Sequence, residues 1–282
     1  MAMSFSAQLP RQIPNAVTVY RLRAPQVSNA LLIATARKLG LTGKGSDFIA
    51  SEDTLAYGEG RFQLEMHRLS GALSFVHRDR YGMETEEAFE LSDPRAGAIA
   101  RRFIQKAALF PMANARLERV THLRGASADV ETRTVTAKVV DAGVVYSRVV
   151  DKISVSGPGG LCMVHIDPGG EVVGLRSVWR PLGKRLARVK IKPIDEALEG
   201  LRKLADGMRG DTTVVKATFG YFELGALDSQ KVLEPAFAFV YVVHDGEVAT
   251  KSAHVVHAGD KTFGTLLGRK RFPTEPQKGR RQ

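Results

Sequence analysis

Between Val139 and Pro181 the sequence reads VVDAGVVYSRVVDKISVSGPGGLCMVHIDPGGEVVGLRSVWRP. Three runs within it, residues 144–150, 161–166 and 172–179, are rich in β-branched side chains. Gly, Pro and Asp separate them. Short apolar runs punctuated by turn formers predict consecutive antiparallel strands, a meander. Residues 161–166 and 237–243 are apolar on both faces, so these strands must be covered on two sides or enclose something.

The rest of the chain repeats the theme. A helix is expected over residues 25–39, opened by Pro25, with Val27, Leu31 and Ala34 at helical spacing and Gly40 as its stop. A second starts at Asp93 and Pro94, carries Ile99, Phe103 and Ala107, and ends before Pro111. A third begins at Pro193 and lines Ile194, Leu198, Leu201 and Ala205 on one face, ending at Gly207. Strands are expected at 17–22, 54–58, 61–67, 72–78, 116–123, 133–140, 214–223, 237–243 and 248–257. The run 73–79 (LSFVHRD) matches 161–167 (LCMVHID), and 237–241 (FAFVY) falls on the same pattern. The predicted fold class is therefore α+β, tandem helix-on-antiparallel-sheet units. Residues 1–90, 91–188 and 189–265 form three such units, followed by a basic tail at 266–282.

The residues that carry this repeat also resemble a known family. Tyr146-Ser147-Arg148 with Asp151-Lys152, then Val155 with Gly157, Gly159 and Gly160, then Val164, Ile166 and Gly170-Glu171-Val172, resemble a PepSY-type domain. The pattern is similar to the propeptide region of thermolysin-type peptidases. The resemblance implies a PepSY-like, cystatin-like helix packed on a short antiparallel sheet, in tandem copies. It also implies a regulatory or peptidase-binding role, often outside the cytoplasm, with no general set of catalytic residues.

Charge and cysteine usage narrow the classes. The net charge is +11, and residues 269–282 hold six cations against Glu275, which is 6 − 1 = +5 and leaves 11 − 5 = +6 for the body. A body this modestly basic lacks the clustering of a nucleic-acid face, so nucleic acid is disfavoured, and the tail reads as a solvated end. Cys162 is the single cysteine, so no intrachain disulfide can form. No basic segment followed by an apolar one opens the chain, and residues 30–34 fall far short of the roughly 20 apolar residues of a membrane span. A cytoplasmic location is expected if the N-terminus is native.

Several constellations bear on chemistry. Residues 40–46 (GLTGKGS) have the wrong spacing for a phosphate loop and follow a helix rather than a strand, so they read as a helix stop. His77 with Asp79, and His165 with Asp167, place imidazole and carboxylate on one strand face, where a carboxylate can orient a histidine for proton transfer. The plainer reading has each Asp capping a turn. Glu65 and His67 share the outward face of one strand. His254 and His257 point to opposite faces, so no metal site is expected, and no cofactor motif is present. Cys162 reads as a buried, inert thiol. Tyr146, Arg148, Trp179, Arg180 and Tyr221, with Glu223, form a group of the kind found in binding patches, or a cation–π contact sealing two units.

The leading expectation is a non-catalytic binding or regulatory protein that engages a peptide or protein partner through a sheet edge or a groove between units. The alternative is an enzyme acting on a small organic molecule in a pocket between the sheets, with His77, His165, Glu65 or Glu223 as acid or base.

Overall fold

The structure is a computed structural model that describes residues 3–45, 47–83, 89–129, 133–207, 210–246 and 248–266. The basic tail lies outside the described residues from 267 onward. Strands β1 (Met3–Phe5) and β2 (Ala16–Leu22) precede helix α1 (Asn29–Lys38), which is followed by β3 (Asp47–Ala50), β4 (Thr54–Glu59), β5 (Phe62–His67) and β6 (Leu73–His77). Helix α2 (Asp93–Lys106) leads to β7 (Ala115–Asp129), β8 (Thr134–Val150), β9 (Ile153–Ser156), β10 (Leu161–Ile166), β11 (Val172–Val178) and β12 (Leu182–Lys190). Helix α3 (Ile194–Asp206) precedes β13 (Asp211–Phe222), β14 (Val232–Asp245) and β15 (Val248–His257).

All these strands join one mixed sheet in the order β12-β2-β14-β13-β9-β8-β10-β11-β6-β5-β4-β3, with β1 on β13, β15 on β14 and β7 on β8. This corrects the expected α+β fold of tandem PepSY-like, cystatin-like units. The chain is mostly β, and its strands hydrogen-bond across the whole molecule instead of closing into small separate sheets. The internal repeat fails for the same reason. β6 and β10, which carry the matching residues, both pair with β11 and so are near neighbours in one sheet. The matched residues do not even share a face: β6 buries Leu73 and Phe75, whereas β10 buries Cys162, Val164 and Ile166, one residue out of step with the match.

Local physics explains the remaining differences. α1 starts at Asn29 because Ser28 caps it, its hydroxyl accepting from Leu31 N at 3.2 Å. Val27 therefore lies outside the helix, whose buried face carries Leu32 and Ala36, four residues apart, and leaves Leu31 exposed. α2 buries Ala96, Gly97, Ala100 and Ile104, and its small residues let it sit low enough for the Tyr146 hydroxyl to donate to Gly97 O at 3.3 Å. α3 buries Leu198, Leu201 and Ala205 as the periodicity predicts. β8 does not break at Gly143: a side chain there would meet Thr121 Oγ1 at 2.8 Å, so the glycine serves close strand packing rather than a turn. Among the described residues, no helix is long and apolar enough to cross a membrane.

One core lies under α1 and α2 against β4–β6, β8, β10 and β11, and another lies between α3 and β13–β14. β9 joins the two regions, antiparallel to β8 and parallel to β13. The chain also passes between them at residues 23–28, from β2 to α1, and at Trp179-Arg180-Pro181, the link from β11 to β12.

Candidate ligand-binding cleft

A cleft of about 1400 Å³ opens beside that crossing. The end of β2, α1, the β5–β6 turn, the segment after α2, and parts of β12 and β14 form its walls. Val27, Leu31, Met66, Leu73, Leu109 and Trp179 give it an apolar lining. Arg21, Arg23, Lys38 and Lys231 also line it, all four exposed, and no acidic residue does among the described residues. None of the four makes an ion pair among the described residues. They come from three separate segments, and only the folding of β2, α1 and the loop before β14 onto one opening brings them together.

Trp179 anchors the lining. It is half-buried, Phe110 stacks on its ring with centroids 3.9 Å apart, and the Arg148 guanidinium lies 5.5 Å from the indole centroid. Behind it is a buried ionic cluster. Glu223 is 0% exposed; its Oε2 accepts from Arg148 Nη1 at 3.0 Å and its Oε1 from the Arg180 backbone N at 3.0 Å. Arg180 then donates Nη1 to Leu224 O at 2.6 Å, and Nη2 to Gly225 O at 2.7 Å and Asp228 O at 2.6 Å, clamping the loop after β13. Burial lowers the pKa of Arg180, an effect that Glu223 and Asp228 oppose. Gly159 is needed here, because a Cβ would stand 2.3 Å from Leu224 O.

The other residues singled out in the sequence do not share this cleft. Tyr146 is in the core beneath α2. Tyr221 donates to Thr18 O at 2.6 Å and lines a separate cavity of about 490 Å³ with Asp151, Lys152 and Arg188. Of the group Tyr146, Arg148, Trp179, Arg180 and Tyr221, Trp179 alone lines the large cleft, with the two arginines packed behind it.

The candidate acid–base residues do not converge either. His165 Nδ1 lies 3.3 Å from Asp141 Oδ1, and its Nε2 lies 3.4 Å from the Tyr81 hydroxyl. Asp167 turns away from His165: its Oδ1 caps Glu171 N at 2.9 Å and its other oxygen pairs with Arg80. His77 packs edge-on against Phe62, and Glu65 sits 3.7 Å from His67. Cys162 is fully buried, and burial pushes its thiol up to about 12. No cluster of three or more metal-ligating side chains occurs among the described residues.

The loop after α1 does hold an anion, supplied by the protein itself. Thr42 N and Gly43 N donate to the two oxygens of Glu59 at 2.7 and 2.9 Å, and the Tyr57 hydroxyl donates to Glu59 at 2.5 Å. The Tyr57 bond and then these backbone donors hold the Glu59 carboxyl down at about 2, against the opposing effect of burial.

No family model matches the chain, and no curated protein matches it. Among solved structures it is similar to an uncharacterized protein from Eubacterium rectale ATCC 33656, at 10% identity and a TM-score of 0.53, over 94% of this chain and 91% of that one. The likeness spans nearly the whole of both chains, so it belongs to the large sheet and not to a small helix-on-sheet unit. The PepSY-type resemblance is set aside on that finding. At this identity, what the two proteins share is the fold.

Proposed function

We propose that this is a non-catalytic binding protein that takes an acidic, partly apolar peptide segment of a partner protein into the cleft. The supporting observation is the lining itself: among the described residues, four exposed cations and no carboxylate stand around an apolar surface that includes Trp179. Such a surface favours a ligand that buries apolar side chains while its carboxylates remain near cations and water. A groove is favoured over a sheet edge. The β12 edge strand carries Lys184, Arg185, Arg188 and Lys190, and its register with β2 shifts twice, both of which discourage a further strand from pairing. The enzyme reading would centre on His165, whose Nε2 already faces the Tyr81 hydroxyl.

Trp179 is the only tryptophan, so its fluorescence reports on the cleft directly. A synthetic peptide of three Glu-Leu repeats is expected to bind with an emission change, more weakly as salt rises. Three Lys-Leu repeats should not bind. Reversing Arg21 and Lys231 together to Glu should weaken the Glu-Leu peptide about tenfold, on the scale of a few tenths to 1 kcal/mol per exposed pair. Equal binding of both peptides would defeat the proposal.

A further inference from the structure

Arg148 has more donors than the fold uses. It is 2% exposed, and a guanidinium carries five N–H groups in a rigid fork. Among the described residues only Nη1 donates, to Arg180 O at 2.7 Å and to Glu223 Oε2 at 3.0 Å. Its Nε is buried without an acceptor. Buried donors are almost always paired, so an unpaired one beside a cleft points to a group that arrives from outside. Arg180 also has a buried Nε without an acceptor, but its two Nη groups are committed to the loop after β13. Arg148 does not itself line the cleft, but its guanidinium lies 5.5 Å from the centroid of the Trp179 indole, which does.

We propose that Arg148 is the specificity-determining anion receptor of the cleft. A carboxylate of the bound peptide reaches the Nε–Nη2 edge of Arg148 beside Trp179 and accepts two parallel hydrogen bonds. That edge matches the spacing of the two carboxylate oxygens, which a lysine ammonium cannot reproduce. The half-buried indole shifts to admit it. This inference rests on the cleft reading and adds to it. The exposed cations attract acidic segments in general, whereas Arg148 selects one carboxylate. That carboxylate can come from an acidic side chain or from the end of the peptide chain, since both present the same group.

The test compares ligands as well as proteins. The peptide of three Glu-Leu repeats is titrated in full, with each Glu changed singly to Gln, and with its C-terminus either free or amidated. Trp179 emission gives the affinities. One change is expected to weaken binding at least tenfold while the others stay within about threefold, and its position tells a side-chain carboxylate from the terminal one. In Arg148→Lys that discrimination should collapse to about threefold or less, while the salt dependence contributed by the exposed cations persists. Uniform sensitivity to every carboxylate, or discrimination unchanged in Arg148→Lys, overturns the role of Arg148 and leaves the cleft reading standing. Failure of every peptide to bind overturns both. Should Arg148→Lys not fold, the arginine Nε–H resonances of the wild-type protein supply the reading. A downfield shift of one buried Nε–H with the full peptide, absent with the critical single variant, is expected, and no shift overturns the proposal.

Discussion

Trp179 and Phe110 stack nearly face to face, with ring centroids 3.9 Å apart and planes 8° from parallel. Phe110 ends the segment after α2, and Trp179 begins the crossing from β11 to β12, so the stack fastens a helix to the seam of the sheet. Trp179→Ala should cost about 2–3 kcal/mol, below the roughly 3–5 kcal/mol of a fully buried aromatic, because the indole is half-buried. A double-mutant cycle with Phe110→Ala should return about 0.5–1.5 kcal/mol of coupling. Denaturant unfolding followed by circular dichroism measures both. Additive single losses would show that the stack contributes nothing of its own.

Glu223→Gln tests the buried ion cluster. The substitution keeps the shape but leaves Arg148 and Arg180 facing a neutral amide in the interior. Removing one partner from a buried ion pair typically costs about 3–5 kcal/mol, because the remaining charge has lost its compensation. Equilibrium denaturation should show a loss of that order. A loss below about 1 kcal/mol would mean that the carbonyls of Leu224, Gly225 and Asp228 suffice to hold Arg180.

Glu59 makes stability depend on pH in a defined window. Its folded-state pKa is held down at about 2, against an ordinary value of 4.5. The unfolded chain therefore takes up the proton first as pH falls. The stabilisation is complete above about pH 4.5 and is lost progressively toward pH 2. Glu59→Gln should lower stability at pH 7 and flatten the decline between those values. Parallel stability–pH curves for the two proteins would show that the bonds to Thr42, Gly43 and Tyr57 do not stabilise the folded charge.

Ala108 sits in the left-handed region with φ 48°. It ends α2 in a Schellman arrangement, in which Ala108 N donates to Gln105 O at 3.1 Å and Leu109 N to Ile104 O at 3.2 Å. That position favours glycine, and the Ala108 side chain is exposed, so little packing is lost by removing it. Ala108→Gly should raise stability by about 0.5–1 kcal/mol, the relief of strain outweighing the entropy of the freer unfolded chain. Thermal unfolding checks the sign, and a lower midpoint would contradict it.

Local features are legible in the sequence. Leu161–Ile166 and Val248–His257 are strands with the limits that their residues suggest, and Leu198, Leu201 and Ala205 face the core as their spacing requires. These features depend on side chains within one or two turns of each other, and a sequence displays such neighbours directly. β12 is not legible in the sequence, because its Lys and Arg residues mask a weak alternation that its edge position tolerates. In α1 two apolar stripes compete, Val27-Leu31-Ala34 and Leu32-Ala36, and packing on the sheet selects the second.

Longer-range relationships were decided only in three dimensions. The matching runs in β6 and β10 look like copies, but pairing with β11 makes them near neighbours in one sheet, because strands with similar apolar residues fit any interior slot. Arg148 and Trp179 were legible as aromatic and cationic partners, while the role of Glu223 as their buried counter-charge was not. Arg21, Arg23, Lys38 and Lys231 carried no signal at all, since each is an ordinary exposed cation in its own segment. By itself the sequence determined the strand-rich composition, the helix periods and the turns, which follow from local sterics and apolar spacing. Which strands meet, and which charges share a cleft, depends on contacts between residues far apart in the chain, and those are set by packing the whole sheet at once.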